Sequence, residues 1–207
     1  MKSKIMLLGI PAVLATVSSA NATTFRPFVG ATMGLQGVMY SNDAKDAERA
    51  YDFDLPTSLF TFGFEGGFRF GEYNKIYNGG VSLNLDMSTE SDIKAKFSDV
   101  KKAELTTNVF SATYDNYIRI SGDKANRIDL VLGAGFGSMS YKIDNSIDPV
   151  LKNTTEHSGV FALKAGLDFE LSKNFTLSAM TRMFVPTKGH YAADTTYIVG
   201  GAVKYVF

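Results

Sequence analysis

The chain has 207 residues, carries 21 basic and 21 acidic side chains, and contains no cysteine. This length suits one domain or one barrel, and the lack of cysteine excludes disulfides, thiol chemistry and cysteine-based metal sites. The balanced charge argues against a nucleic-acid partner, because such proteins usually carry a basic footprint. No apolar run reaches about 18 residues, so no transmembrane helix is expected.

The N-terminal residues have the pattern of a secretory signal peptide. Lys2 and Lys4 precede an apolar segment at residues 5–17 that is too short to span a bilayer, and Ala20-Asn21-Ala22 offers a small-residue cleavage site. We therefore predict a signal peptide over residues 1–22 and a mature domain over residues 23–207. Cleavage removes two lysines and no acid, which leaves 19 basic and 21 acidic side chains and a formal net charge of −2.

Alternation of side chains with a period of two predicts eight β-strands in the mature domain. The clearest is LFTFGFEGGFRF at residues 59–70, where Phe recurs at nearly every second position. The fourth strand is ambiguous in phase, because Val109 falls on the face opposite Phe110, Ala112 and Tyr114. The eight strands are expected near residues 24–37, 58–71, 76–89, 104–119, 127–142, 158–172, 174–185 and 195–207.

The connections between these strands alternate in length. Three are short and polar, at residues 71–75, 121–126 and 172–174, whereas the four others are long. The long connections cover residues 38–57, 90–103, 143–157 and 186–194. Short turns at one end and long loops at the other are typical of up-and-down outer-membrane barrels, and an even strand number places both termini at the short-turn end.

The first long loop contains the segment DAKDAERAY at residues 43–51. This composition predicts one or two helical turns, with Asn42 as the N-cap. Its acids lack the spacing of a calcium loop, so no metal is expected there.

The glycines indicate which face of each strand is inside. They fall on the polar face, and a solvated face has no reason to prefer glycine, which weakens strands. The interior of an eight-stranded barrel is narrow and needs small side chains. We therefore predict that the polar face lines the lumen and that the apolar face meets lipid, rather than the reverse arrangement of a soluble lipocalin-like barrel. The glycines concerned are Gly63, Gly67, Gly80, Gly133, Gly135, Gly137, Gly166 and Gly200.

Three segments resemble a known family. The segment VKYVF at residues 203–207 resembles the terminal strand of bacterial outer-membrane β-barrels, with Phe207 at the end and Tyr205 two places earlier. The segments FRPFVGATMGLQ (25–36) and LVLGAGFGSMSY (130–141) resemble strands of small barrels related to OmpA, OmpX and the opacity proteins. The resemblance implies an all-β, eight-stranded antiparallel transmembrane barrel and recognition of Tyr205 and Phe207 by the barrel-assembly machinery. It carries over no catalytic residue.

Charged residues on the predicted inner face must find partners, because an unpaired buried charge costs several kcal/mol. Strand direction places Glu65 and Lys164 near the middle of the membrane, and Asp86 and Arg182 toward the outside. Five more lie toward the periplasm: Arg69, Asp129, Asp168, Glu170 and Lys204. We predict ion pairs sorted by depth, with Glu65–Lys164 as the first choice, and a lumen plugged by polar side chains. The alternative is a gated polar path or a proton relay.

The sequence offers little for catalysis. Some small barrels that modify lipid A hold His and Ser at the outer rim, and Glu156-His157-Ser158 supplies the residue types. However, adjacent strand residues face opposite sides, and neither His157 nor His190 belongs to the H-x-S-N pattern of those hydrolases. We predict no catalytic residue, no metal and no cofactor.

These observations predict a monomeric outer-membrane barrel with a structural or surface-interactive role through long extracellular loops. Its expected partners are outer-membrane lipid and lipopolysaccharide, the barrel-assembly machinery during biogenesis, and a host or surface ligand at the loops, but no nucleic acid. The alternatives are a small diffusion channel, a rim enzyme that modifies lipid A, and a soluble periplasmic barrel.

Overall fold

The computed structural model describes residues 24–72, 75–96, 101–122, 126–144, 154–187 and 193–207. The predicted signal peptide, His190 and most of the third and fourth long loops lie outside these residues. No helix in this part of the chain is long and apolar enough to cross a membrane.

The described chain forms ten strands and one helix. The elements are β1 (Phe25–Tyr40), α1 (Asn42–Ala50), β2 (Phe53–Asp54), β3 (Ser58–Phe70), β4 (Tyr77–Ser88), β5 (Ser91–Ala95), β6 (Lys101–Ser121), β7 (Ile128–Asp144), β8 (Thr154–Glu170), β9 (Phe175–Pro186) and β10 (Ala193–Val206).

Eight of these strands close into an antiparallel barrel. Going round it, the order is β6, β4, β3, β1, β10, β9, β8 and β7, and the pairing of β6 with β7 closes the sheet. The first and last long strands pair along 13 residues of β1, from Phe28 opposite Val206 to Tyr40 opposite Ala193. The prediction of an eight-stranded up-and-down barrel is therefore confirmed.

Adjacent residues on one strand show which face is inside. On β3, Phe64 is 59% exposed whereas the next residue, Glu65, is 3% exposed. The same alternation follows β3 from Ser58 to Glu65, with Leu59, Thr61 and Gly63 also buried. An outward apolar face and an inward polar face are what a barrel needs when lipid surrounds it.

Aromatic rings gather near both ends of the outward apolar band. Near the short turns, the rings of Phe25 and Phe68 stack 4.6 Å apart, and Tyr205 contacts Phe207 with ring centroids 5.1 Å apart. Near the long loops, Phe136 and Phe161 meet edge to face at 5.5 Å. Such girdles are typical of the two membrane interfaces.

The structure resolves the phase of β6, which the alternation of residues left open. Val109 is 1% exposed and faces the interior, whereas Phe110 and Tyr114 are each 48% exposed and face outward. Residues paired across neighbouring strands share a face of the sheet. Phe110 and Tyr114 accordingly lie on the same outward face as their partners on β4 and β7.

The strands also continue further at the long-loop end than the sequence predicts. β6 begins at Lys101, β7 runs to Asp144 and β8 begins at Thr154. Two short strands, β5 and β2, extend the same sheet beside β6. Predicted loop residues therefore form strands, because they pack around an apolar core at this end of the barrel.

The helix α1 follows β1 directly, and its N-cap is Ser41 rather than the predicted Asn42. The Oγ atom of Ser41 accepts a hydrogen bond of 3.3 Å from the backbone amide of Ala44, which pairs one of the free amides of the first turn. Asp52 follows with φ of 51°, which turns the chain away from the helix.

Glycine is sterically required at inward positions and optional at one outward position. A Cβ atom on Gly135 would lie 1.9 Å from the carbonyl oxygen of Ala112, whereas a Cβ atom on Gly66 would meet nothing closer than 3.7 Å.

We expect Gly135→Ala to destabilise the barrel by about 1–3 kcal/mol, the usual cost of overpacking, or to prevent refolding. Gly66→Ala is the matched control and should refold like the wild type. Urea unfolding followed by circular dichroism measures both, and equal stability of the two variants would contradict this packing.

Candidate functional site

The middle of the lumen is organised around one buried ammonium group. The Nζ atom of Lys164 on β8 lies 2.5 Å from Glu65 Oε1 on β3 and 2.9 Å from Asp115 Oδ2 on β6. It also donates to Ser82 Oγ at 3.2 Å, and all four side chains are at most 3% exposed. A single lysine therefore joins three other strands across the barrel.

Toward the short turns, the guanidinium of Arg69 binds the carboxylate of Asp168 and lies 3.3 Å from Glu170 Oε1. The Nζ atom of Lys204 lies 3.4 Å from Asp168 and 3.3 Å from Glu65. Lys204 thus connects this cluster to the one around Lys164. The Arg69 guanidinium also lies 4.3 Å from the centre of the Tyr117 ring, a cation–π contact.

At the periphery of this cluster, Asp129 Oδ2 lies 3.8 Å from Arg69 Nη1, and Asp129 Oδ1 lies 2.5 Å from Arg127 Nε. Arg26 completes the cluster at 3.7 Å from Glu170. The charges near the short turns therefore form one connected network rather than separate pairs.

Toward the long loops, Arg182 is the central cation. Its Nη1 atom donates to Asp86 Oδ2 at 2.7 Å and to Asn84 Oδ1 at 3.3 Å. Thr32 donates to the other oxygen of Asp86 at 3.3 Å. Both oxygens of this buried carboxylate are thereby hydrogen-bonded, as a charged group removed from water requires.

The structure thus brings together all nine charged residues that the sequence placed in the lumen. Glu65 and Arg69 take different partners, Lys164 and Lys204 for the first and Asp168 and Glu170 for the second. The described ion pairs of the lumen join six acids and six bases. These twelve residues are Glu65, Asp86, Asp115, Asp129, Asp168, Glu170, Arg26, Arg69, Arg127, Lys164, Arg182 and Lys204.

Sequence reasoning missed three members of this network. The sequence does not predict Asp115 because its alternation leaves the phase of β6 open; in the structure Asp115 shares an inward face with Val109. Arg127 is predictable from the sequence, because it lies two residues before Asp129 on the predicted fifth strand and so shares its face. Arg26 lies at the start of β1, where alternation is too short to assign a face.

The long-loop end of the lumen is apolar, which the sequence did not predict. Beyond Arg182 the inward side chains form a hydrophobic cluster, so the polar plug occupies only part of the interior. The helix α1 covers this cluster with Ala44 and Ala47, which are partly buried against it. The buried members are Val38, Tyr40, Phe53, Leu59, Ile93, Ala103, Leu105, Val109, Met139, Tyr141, Val160, Ala162, Phe184, Ala193 and Ile198.

Polar groups at this end, beyond the apolar band, are mostly neutral or paired. Burial raises the pKa of Tyr40, and the neighbouring Tyr141 and Glu48 raise it further. Burial also raises the pKa of Tyr141 to about 12. Both phenols are therefore uncharged at neutral pH. On the surface, a hydrogen bond to Asp144 raises the pKa of Lys142, which stays cationic.

The residues considered for catalysis do not form a catalytic pair. His157 is exposed, whereas Ser158 is buried and donates its hydroxyl proton to the carbonyl of Gly159 at 2.8 Å. Among the residues that the structure describes, no three His, Cys, Asp or Glu side chains come together as a metal-binding group.

A closed eight-stranded barrel with an outward apolar band, aromatic girdles and buried ion pairs in its lumen has the architecture of a small membrane-spanning β-barrel. Sequence comparison assigns the family: the chain belongs to the outer membrane protein beta-barrel domain family, whose model matches residues 8–207. Its location is accordingly the outer membrane. None of the curated proteins compared with the chain matches it in sequence.

Several solved outer-membrane proteins share this fold at low sequence identity. Ail of Yersinia pestis, solved in complex with the heparin analogue sucrose octasulfate, superposes with a TM-score of 0.55 at 16% identity, covering 88% of this chain and 99% of Ail. OprG of Pseudomonas aeruginosa gives 0.55 at 13% identity, with 88% and 96% covered. Neisserial surface protein A gives 0.52 at 10% identity, with 89% and 99% covered.

The network predicts that replacing a buried lysine lowers the free energy of unfolding far more than replacing an exposed lysine. Lys164→Met leaves the carboxylates of Glu65 and Asp115 buried without their main cation, which should lower the free energy of unfolding by about 3–5 kcal/mol. Lys142→Met removes the exposed partner of Asp144 and should leave stability unchanged, because exposed ion pairs contribute little. Urea unfolding of the refolded barrels, followed by circular dichroism, measures both. A Lys164→Met barrel as stable as the wild type would show that the network is not a stabilising plug.

Proposed function

We propose that this protein is a monomeric, closed barrel of the outer membrane with a structural and surface-interactive role, carried by the long-loop end. The observation that supports it is the filling of the lumen by two successive zones. A charge network occupies the short-turn part, and a hydrophobic cluster capped by α1 occupies the rest. This filling supports a lumen that is closed to ions, and diffusion through the lumen is then not its role.

The long-loop end is proposed to face outside the cell, where it can meet a ligand. Loops on a rigid scaffold are the usual place for binding functions. Ail, which shares the fold, was solved with a sulfated ligand. In this chain the segment 41–57 carries the acids Asp43, Asp46, Glu48, Asp52 and Asp54 against only Lys45 and Arg49. The charge of this segment favours contact with a neutral or cationic group over a polyanion, whereas the second long loop, at residues 90–103, carries four lysines.

The remaining partners follow from the same proposal. The signal peptide at residues 1–22 directs export, and the barrel-assembly machinery reads Tyr205 and Phe207, whose side chains are 40% and 65% exposed on the outer face. The apolar band then contacts outer-membrane lipid and lipopolysaccharide. The separation of exposed His157 from buried Ser158 supports a role without catalysis.

Conductance tests the closed lumen. In planar lipid bilayers the purified barrel should give no reproducible unitary conductance, because the hydrophobic cluster around Phe184 and Ile198 excludes water and hydrated ions. The control is a general porin inserted under the same conditions. Regular single-channel steps from the barrel itself would overturn the plug and favour a small diffusion channel.

Orientation is testable because the chain has no native cysteine. Lys45→Cys places a thiol on the exposed side of α1, and Lys173→Cys places one in the short turn between β8 and β9. A membrane-impermeant maleimide should label Lys45→Cys in intact cells, but label Lys173→Cys only after the outer membrane is permeabilised. The opposite pattern would contradict the proposed orientation, and recovery of the protein away from the membrane fraction would contradict its location.

A further inference from the structure

The lipid-facing surface of the barrel contains a groove of 600 Å³ that crosses four neighbouring strands, β6, β7, β8 and β9. Its floor is low because Ala134 on β7 and Ala165 on β8 each carry only a methyl group. Larger side chains flank this floor, among them Leu163 and Met183. Ala134 and Ala165 are exposed on the outward face, so the groove opens to the membrane rather than to the lumen.

The strand register sets the slope of this groove. Residues paired side by side form rows across the sheet, and a row followed once round the barrel returns to β3 ten residues away, at Phe60 instead of Phe70. Because β3 runs from the long-loop end to the short-turn end, the row climbs toward the long loops on its way from β6 to β9. The groove therefore has its β6 end nearer the short turns. The row consists of Phe70, Gly79, Asn116, Leu132, Ala165, Thr181, Val199, Leu35 and Phe60.

Polar side chains gather at the β6 end of the groove, where Tyr114 and Asn116 contribute to the lining. The hydroxyl of Tyr77 donates to Asn116 Oδ1, and Asn116 Nδ2 donates to the backbone carbonyl of Leu132 at 3.3 Å. Tyr114 is hydrogen-bonded to Tyr77. Tyr77 is the first residue of β4 after a short turn, so this end of the groove lies close to the membrane interface, where tyrosine is enriched.

The amide of Asn116 has one hydrogen-bond donor to spare. A side-chain amide carries two N–H donors, and among the described residues Asn116 uses one of them, on Leu132. Its Oδ1 atom accepts from Tyr77, which fixes the end of the amide that carries the N–H groups. Hydrocarbon cannot satisfy the second donor. The ester carbonyls of lipids can, because they are acceptors and lie at the boundary between headgroups and hydrocarbon.

From this combination we infer that the groove binds one diacyl glycerophospholipid. One acyl chain lies over Ala134 and Ala165, and the ester carbonyl that joins this chain to glycerol accepts the second N–H of Asn116. A chain of methylenes can follow a sloping groove, whereas the convex wall of a second barrel would meet only its edges. The inference rests on the proposed function in one respect, since the proposed orientation assigns this lipid to the periplasmic leaflet.

Lipid retention by the refolded barrel in detergent micelles tests this site, with native mass spectrometry to count the bound lipids. The probes are phosphatidylcholine with two palmitoyl chains and its dihexadecyl ether analogue, which keeps the chains and the phosphate but lacks both carbonyls. The ester lipid should give one saturable adduct and bind about three- to tenfold more tightly than the ether lipid, which corresponds to one hydrogen bond. Equal binding of the two lipids, or no saturable adduct, would overturn the inference.

Matched phenylalanine variants locate the site. Ala165→Phe fills the groove and should abolish the saturable adduct. Ala31→Phe places the same ring on the outward face of β1, away from the groove, and should bind the ester lipid like the wild type. Circular dichroism verifies that both variants are folded. Undiminished binding to a folded Ala165→Phe barrel would place the lipid elsewhere and refute the assignment.

A third variant tests the hydrogen bond without filling the groove. Asn116→Leu keeps the size of the side chain but removes its N–H donors. It should weaken binding of the ester lipid about three- to tenfold and leave the ether lipid unchanged, so that the two lipids bind equally. A preference for the ester lipid that survives this substitution would show that Asn116 does not hold the carbonyl, and the inference would be wrong.

The inference and the proposed function fail in different experiments. A barrel without bound lipid that shows no conductance and is labelled at Lys45→Cys from outside would refute the lipid site alone. A barrel that retains the lipid but conducts, or that has the opposite orientation, would contradict the proposed function and leave the groove assigned. Lipid-free dimers that Ala165→Phe dissociates would assign the groove to a second copy and refute both the lipid site and the proposed monomer.

Discussion

Every backbone amide and carbonyl within the bilayer must find a partner in the protein, because hydrocarbon offers none. The barrel meets this constraint by closing on itself, through β1 against β10 and β6 against β7. Closure with eight strands then dictates a narrow interior and two chemically different faces. The alternation of Phe64 outside with Glu65 inside is a direct consequence. The glycines follow as well, since a side chain at Gly135 would strike the carbonyl of the adjacent strand.

The narrow interior makes the lumen charges depend on one another. Lys164, Glu65 and Lys204 belong to one chain of contacts that reaches Arg69 through Asp168. Such a network is costly to break at one member, because the partner is left charged in a place without water. The contacts also join β3, β6, β8 and β10, and they are satisfied only when those strands keep their observed register. The same contacts thus hold the strands in register and fill the middle of the lumen.

Between the charge network and the long-loop end, the inward-facing side chains of the barrel change from charged to apolar. The strands continue past the membrane band, and their inward residues become apolar, so this part is built like the core of a water-soluble sheet. The helix α1 can dock there because Ala44 and Ala47 present a smooth surface to the cluster. The docking leaves a cleft whose lining includes Tyr40, Tyr51, Phe53 and Tyr141. Segments carried on a rigid scaffold are where binding functions usually lie, which is the basis of the proposed surface role.

From the sequence alone come the eight strands of the barrel, the inward polar face and nine of the twelve charged residues of the lumen network, because a period of two directly reports two faces. It placed Glu65 with Lys164 by strand direction alone. Only the tertiary structure decided the phase of β6, the membership of Asp115 and the extension of strands into predicted loops. These features depend on contacts between distant segments, such as Val109 with the core around Phe184, which no local pattern encodes. The cleft beside α1 is of the same kind, since its walls come from five strands and a helix that meet only in the folded barrel.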